Sequence, residues 1–363
     1  MPLNLRTSAR DVECSSMTPP DCAWTLADLA KVKQNGVKVM STFACGGGSS
    51  MGYKRAGCTI LAANDIDPLM AEHYRRNLNP PNYYLCPIKD LLTATLPSEL
   101  YNLDILDGSP PCSTFTTHGS REKVWGVKKH FREGQAKQVL SDLFFDYLDL
   151  VNRLRPRVAI AENVKGMLLG NARGYTRLVM KRFQEIGYKP QLFLLNAADC
   201  GVPQKRERVF FVAQRSDLEM PKLNLAPQHR WIGCAEACKD LTIETATPLK
   251  GLRKRKYKQT RQGESFVKAS LSLTGSKGWY SHFRLHENMP SPTLTTGCSD
   301  DLHHWSEPRN LQWPELCRLG SFPDDYWVKT SKIGCYMVGM SVPPKMTEQV
   351  ARAVCTQWLG VEE

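Results

Sequence analysis

The stretch VKVMSTFACGGGSSMG (residues 37–52) opens as an apolar run of strand length, turns on Gly46, Gly47 and Gly48, and continues into a segment of helical composition. Consecutive rather than alternating apolar residues indicate a strand buried on both faces, as in a parallel sheet covered by helices. Further runs of the same kind follow: TILAAND (59–65), LDILDG (103–108), RVAIAENV (157–164), YKPQLFLLNA (188–197) and RVFFVAQR (208–215). Segments such as PLMAEHYRRN (68–77) separate them with helical periodicity. The pattern predicts an α/β fold with a doubly wound, mostly parallel sheet. After residue 215 the alternation gives way to basic, glycine-containing sequence, and helical periodicity returns in WPELCRLGSF (313–322) and TEQVARAVCTQWL (347–359).

Composition narrows the function. The chain has 363 residues, 42% of them hydrophobic and 23% charged, enough for a large core. It contains no run of about 18 apolar residues and no signal-peptide pattern, which predicts a cytoplasmic protein without a membrane partner. Its 13 cysteines are scattered with no C-x-x-C pair, so they read as reduced thiols, and no metal site is expected. The net charge of +12 points to a polyanionic partner. Residues 222–290 hold 13 Lys and Arg against 5 Asp and Glu, densest in KGLRKRKYKQTRQG (250–263). Arg253, Lys254, Arg255, Lys256, Lys258 and Arg261 are therefore candidate phosphate contacts, with a solvated loop as the alternative.

In doubly wound folds ligands bind at the carboxyl ends of the strands, and four such junctions carry unusual residues. The glycine turn lets the backbone pass close to a ligand, and Asp65 stands at the next strand end where an acid can accept hydrogen bonds from a ribose. The spacing fits neither G-x-G-x-x-G nor a phosphate-binding P-loop, which leaves an adenosine-containing cofactor or a plain tight turn. DILDGSPPCSTF (104–115) delivers two prolines and Cys112 directly after a buried strand: a core thiol or a rigidly held nucleophile. Glu162 and Asn163 end the strand AIAENV, where a buried carboxylate costs several kcal/mol unless paired or protonated. Arg206 and Arg208 alternate at the start of a strand and so face the same way, fit to hold anionic or carbonyl oxygens.

FACGGGSSMG, ANDID, GSPPCSTF, AENV, NAADCGVPQKRER, RNLQWPELCRLGSFPDDY and VGMSVPP resemble, in order and approximate spacing, the motif blocks of the DNA (cytosine-5) methyltransferases of bacteria and phages. The resemblance implies a Rossmann-like methyltransferase that transfers a methyl group from S-adenosyl-L-methionine to carbon 5 of a flipped cytosine in duplex DNA. Cys112 would be the nucleophile, Glu162 the group at ring nitrogen 3 and the exocyclic amine, and Arg208 with Arg206 the holders of the base's carbonyl oxygen. The cofactor site would take Phe43, Ala44, Gly46, Gly48, Asp65, Ile66, Asp90, Leu143, Ser341 and Val342, with ordinary core packing as the alternative for Phe43 and Leu143. Thr116–Gln138 would form a loop over the flipped base. The division implied is an N-terminal extension (1–36), a catalytic domain (37–215 and 331–363) and a target-recognition domain (216–330). A monomer is expected, in a bacterial or phage-infected cell, with a cognate restriction endonuclease as a candidate partner.

Two residues depart from the family pattern: Ser113 stands where it has glutamine, and Met340 where it has asparagine. Ser113 would alter the contact with the emptied duplex position, and Met340 the affinity for the cofactor. Other readings are a transfer RNA cytosine-5 methyltransferase, a catalytically inactive nucleic-acid-binding relative and a thiol redox enzyme. The basic segment favours duplex DNA over transfer RNA. The presence of Cys112, Glu162 and Arg208 together speaks against inactivity, and the absence of a nearby second cysteine against redox chemistry.

Overall fold

A computed structural model describes residues 22–111, 143–170, 172–244, 246–278 and 281–362, together with the backbone of 128–129 and 138–139. In chain order, α1 (Leu26–Lys31) precedes β1 (Lys38–Thr42), α2 (Gly48–Arg55), β2 (Thr59–Asp65), α3 (Pro68–Leu78), β3 (Asn82–Leu85) and β4 (Ile105–Gly108). The short pair β5 (Lys128–Lys129) and β6 (Gln138–Val139) comes next, then α4 (Leu143–Leu154), β7 (Val158–Val164), α5 (Ala172–Glu185), β8 (Tyr188–Asn196) and β9 (Glu207–Arg215).

Seven strands form one sheet in the order β3-β2-β1-β4-β7-β9-β8. The first five are parallel, and β9 runs antiparallel to both β7 and β8. Strand residues divide between two cores. Met40, Leu106, Ala159, Ala161 and Phe211 join Phe144, Tyr147, Val151, Val179 and Phe183 on the side of α4 and α5. Val39, Ile105, Val158, Ile160 and Phe210 join Tyr53, Met346, Val350 and Trp358 on the other. Burial on both faces is why the strands read as unbroken apolar runs.

Beyond β9 lie α6 (Cys234–Ala237), α7 (Gly251–Gln259), β10 (Glu264–Ser265), α8 (Val267–Thr274), β11 (Phe283–Arg284), α9 (Cys298–Asp301) and β12 (Leu302–His303). The chain then forms α10 (Trp313–Leu319), α11 (Ser331–Met340) and α12 (Pro344–Trp358), and α12 packs on α2. Strands β10, β11 and β12 make a separate small sheet. The basic run is not a loop: most of it is α7, anchored by Tyr257, which is buried and donates through its hydroxyl to the His304 carbonyl at 2.8 Å. The N-terminal segment is also docked, with Trp24 buried and its Nε1–H donating to the Ser321 carbonyl at 3.2 Å. Among the described residues all cysteines are free thiols, and no helix is long and apolar enough to cross a membrane.

Candidate active site

The sheet's topological switch lies between β1 and β4. From β1 the chain proceeds outward through β2 and β3, then returns to place β4 on the other side. The two strands pair as far as Thr42 opposite Gly108, so the glycine turn and the stretch 109–111 leave the sheet side by side. Such a point opens a crevice at the carboxyl edge without further construction.

On the β1 side the turn is held in an unusual backbone. Phe43, Cys45 and Gly47 have φ of 52°, 46° and 82°, a left-handed region that non-glycine residues enter only when other contacts enforce it. Those contacts are visible: Ala44 N–H donates to the Asn64 carbonyl at 3.0 Å, and Cys45 N–H to Asp65 Oδ2 at 2.7 Å. The other Asp65 oxygen accepts from Asp67 N–H at 2.9 Å. Burial pushes the Asp65 carboxyl up from its ordinary range while these amides oppose the shift. The acid thus braces the turn, and each oxygen retains acceptor capacity for a further donor. Ile66, beside it, is half-buried.

Gly46 and Gly48 are crowded by the chain itself. A Cβ at Gly46 would stand 2.0 Å from Met337 Sδ, and one at Gly48 2.2 Å from the Val342 carbonyl oxygen. Their faces are closed by the chain's own C-terminal segment, and Tyr326 donates its hydroxyl to the Gly46 carbonyl at 2.6 Å. Ser341 and Val342 are buried there, and Ser341 Oγ has no hydrogen-bond partner among the described residues. Arg206 fastens the same segment: its guanidinium donates to the carbonyls of Leu294, Gly339 and Ser341, each at 3.0 Å. Arg206 is buried, and burial, with the charge of Arg208 next to it, works against its ionised form. Its two terminal nitrogens serve that fastening, while Nε has no hydrogen-bond partner among the described residues.

On the β4 side, Asn163 at the end of β7 donates through Nδ2 to the Pro110 carbonyl at 3.1 Å, fixing the backbone two residues before Cys112. Cys112, Ser113 and most of Thr116–Gln138 lie outside the described residues. Glu162 stands one residue earlier on β7, opposite Phe210 of β9, and Arg208 stands opposite Val164. That register makes Glu162 and Arg208 diagonal neighbours on one face. Arg208 Nε donates to Glu162 Oε1 at 2.9 Å, with both side chains largely shielded. The next residues out, Lys165 and Glu207, form an exposed ion pair at 2.7 Å.

Beneath the switch point lies an acid that sequence reading did not single out. Asp107 of β4 is buried and accepts from Ser41 Oγ of β1 at 2.9 Å and from the Tyr53 hydroxyl of α2 at 3.1 Å. Burial pushes its carboxyl up to about 7, opposed by these two hydrogen bonds and reinforced by the charge of Glu162. Its signal was an acid inside the apolar run LDILDG.

The remaining candidates are dispersed. Asp90 is exposed in the turn Ile88–Leu92 after β3. Leu143 is packed in the core on the α4 side, and Phe43 is half-buried against the same core. Arg253, Lys254, Arg255, Lys258 and Arg261 are exposed on or just after α7, with Lys256 half-buried.

The model of the C-5 cytosine-specific DNA methylases matches residues 37–356. The Type II methyltransferase M.FnuDI of Fusobacterium nucleatum is 34% identical over 351 residues, covering 88% of this chain and 94% of that protein. The Type II methyltransferase M.NgoFVII of Neisseria gonorrhoeae is 27% identical over 341 residues, covering 88% and 87%. Among solved structures, a protein named as a DNA modification methyltransferase encoded within an E. coli prophage aligns with a TM-score of 0.68 at 19% identity, over 89% of this chain and 99% of that one. The DNMT2 of Spodoptera frugiperda aligns with a TM-score of 0.63 at 17% identity, over 88% and 99%.

Proposed function

Because the chain belongs to the C-5 cytosine-specific DNA methylases, a family of DNA (cytosine-5) methyltransferases, we propose that it methylates a cytosine swung out of duplex DNA, using S-adenosyl-L-methionine and a covalent adduct on Cys112. The observation that carries this reading is the Glu162–Arg208 pair, set on one face beside the Pro110 backbone that Asn163 holds. A cytosine presents a ring nitrogen and an amine beside a carbonyl oxygen. A carboxyl group bonded to a guanidinium offers complementary partners for all three.

Carbon 5 of cytosine is a weak nucleophile while the ring is aromatic. Addition of the Cys112 thiolate to carbon 6 breaks that aromaticity and leaves electron density at carbon 5. A proton reaches ring nitrogen 3 by way of the Glu162 carboxyl as the thiolate adds, and returns by the same group when the product forms, while Arg208 holds the carbonyl oxygen. After carbon 5 has gained the methyl group, its proton leaves to a base, the sulfur–carbon bond breaks and the thiolate returns. When bound, the sulfonium cofactor supplies an electrophilic methyl group.

The residues at the turn fit that cofactor. Ser341 Oγ is a buried hydroxyl without a partner among the described residues, and the Asp65 carboxylate keeps acceptor capacity at the neighbouring strand end. Asp65 would hold the ribose, with Phe43, Ala44, Ile66, Asp90, Leu143 and Val342 around the remainder. Residues 216–330 would read the sequence in the major groove, with the basic face of α7 on phosphates. The names of the relatives support a restriction-modification role, and with it goes our proposal of a cytoplasmic monomer beside a cognate endonuclease.

Radiolabelled S-adenosyl-L-methionine offered with duplex DNA, transfer RNA or neither tests this. Wild type is expected to label duplex DNA alone, Cys112→Ala to label nothing, and Glu162→Gln to lose about 10²–10⁴ in rate. Active, folded wild type that labels only transfer RNA, or neither nucleic acid, overturns the reading.

A further inference from the structure

Lys205 and Trp231 stand together where the chain enters β9, the strand that carries Arg208. Lys205 directly precedes Arg206 and is exposed, yet its backbone is fixed: its N–H donates to the Ser291 carbonyl at 2.7 Å, and its own carbonyl accepts from Thr293 Oγ1 at 2.8 Å. Its Nζ lies 4.9 Å from the centroid of the Trp231 ring. Trp231 is 44% exposed, and its Nε1–H donates to Asp199 Oδ1 at 2.7 Å. A singly exposed tryptophan needs no explanation. One anchored by its ring nitrogen, with its face under a lysine three residues from the base-pocket arginine, is a fixed platform for that cation.

The charges around it sharpen the point. Lys165 is neutralised by Glu207 at 2.7 Å. Lys205 has no ion pair among the described residues, and the Asp199 carboxylate is turned to the indole. Among the described residues Lys205 is thus an ammonium held on a ring and without an ion pair, and the partner whose chemistry answers it is a phosphodiester of the strand entering the pocket.

We propose that Lys205 contacts a DNA phosphate flanking the target base and that Trp231 is the positioning residue that holds it there. This rests on duplex DNA being the substrate. A lysine pre-set by a ring loses less side-chain freedom on binding than a free one, so removal of the ring weakens the contact without touching chemistry.

The test is anisotropy titration of a short fluorescein-labelled duplex with the full-length protein across a salt series. Lys205→Ala is expected to weaken binding about 5–10-fold and to reduce the slope of log affinity against log salt by about one. Trp231→Ala should weaken it about 3-fold and Trp231→Phe hardly at all, because a phenyl face still attracts the cation. The double variant Lys205→Ala/Trp231→Ala should bind no more weakly than Lys205→Ala. Cofactor affinity, measured by calorimetry, should be unchanged throughout and reports that each variant is folded. Wild-type affinity and slope in Lys205→Ala overturn the contact, and strictly additive losses overturn the role of Trp231. Lys205 is a surface side chain whose removal leaves the fold intact, so the contact is decided even where a Trp231 variant does not fold. Failure of wild type to label duplex DNA would fall on the parent reading and is seen separately.

Discussion

Asp107 ties together three pieces of the active-site crevice, since it bonds Ser41 of β1 and Tyr53 of α2 from its own place on β4. Burial raises its carboxyl from an ordinary 3.8 to about 7, so between those values the folded protein binds a proton that the unfolded chain does not. Stability attributable to this group is therefore greatest below pH 4, falls as pH rises towards 7 and is flat above. Asp107→Asn removes that loss: urea unfolding should show the variant gaining on the order of 2–4 kcal/mol relative to wild type at pH 8 and far less at pH 5. Parallel pH dependence of the two proteins would refute the account. Such residues mark the limit of what a sequence discloses. Glu162 and Arg208 were legible because charge inside a buried strand demands a partner, and strand alternation supplied the face. Arg206 shares that alternation and yet is bound to the carbonyls of Leu294, Gly339 and Ser341, which are contributed by segments about 90 to 135 residues away. Asp107 was visible as an acid, but its partners come from two other elements.

At the scale of elements, the glycine turn was legible as a turn, but the segments that crowd it were not. Its close approach is to α11 and the residues just after it rather than to a ligand alone. The two glycines should therefore respond differently to an added methyl group. At Gly46 the obstacle is the flexible end of Met337, so Gly46→Ala should cost about 1–3 kcal/mol and be largely rescued by Met337→Ala. At Gly48 it is the Val342 backbone, so Gly48→Ala should cost at least as much, weaken cofactor binding in calorimetry and find no such rescue. Equal rescue at both sites would show that the obstruction is not positional. Helix α7 was illegible for another reason. Its buried face is a single residue, Tyr257, so the run shows no apolar period, and no side chain caps its start. The long strands were plain because both their faces are covered.

Over the whole molecule, the start of the described chain docks on the segment between α10 and α11. Trp24 is 3% exposed, its carbonyl accepts from Asp324 N–H at 2.9 Å, and Leu26 N–H donates to Asp325 Oδ1 at 2.8 Å. Arg318, close by, forks onto Asp240 and Asp324 and joins the small domain to the segment between α10 and α11. Trp24→Ala should thus lower global stability by about 3–5 kcal/mol in denaturant melts, whereas an extension that merely trailed from the fold would change it by less than about 0.5 kcal/mol. The closure of residues 46 and 48 by residues 337 and 342 also imposes an order of events during synthesis. A ribosome delivers β1 and its turn early, but the wall that completes the turn emerges some 290 residues later. At roughly 5–20 residues per second, the nascent chain spends on the order of half a minute with this turn unfinished. Two fragments divided between these segments would consequently each leave the turn open until they met.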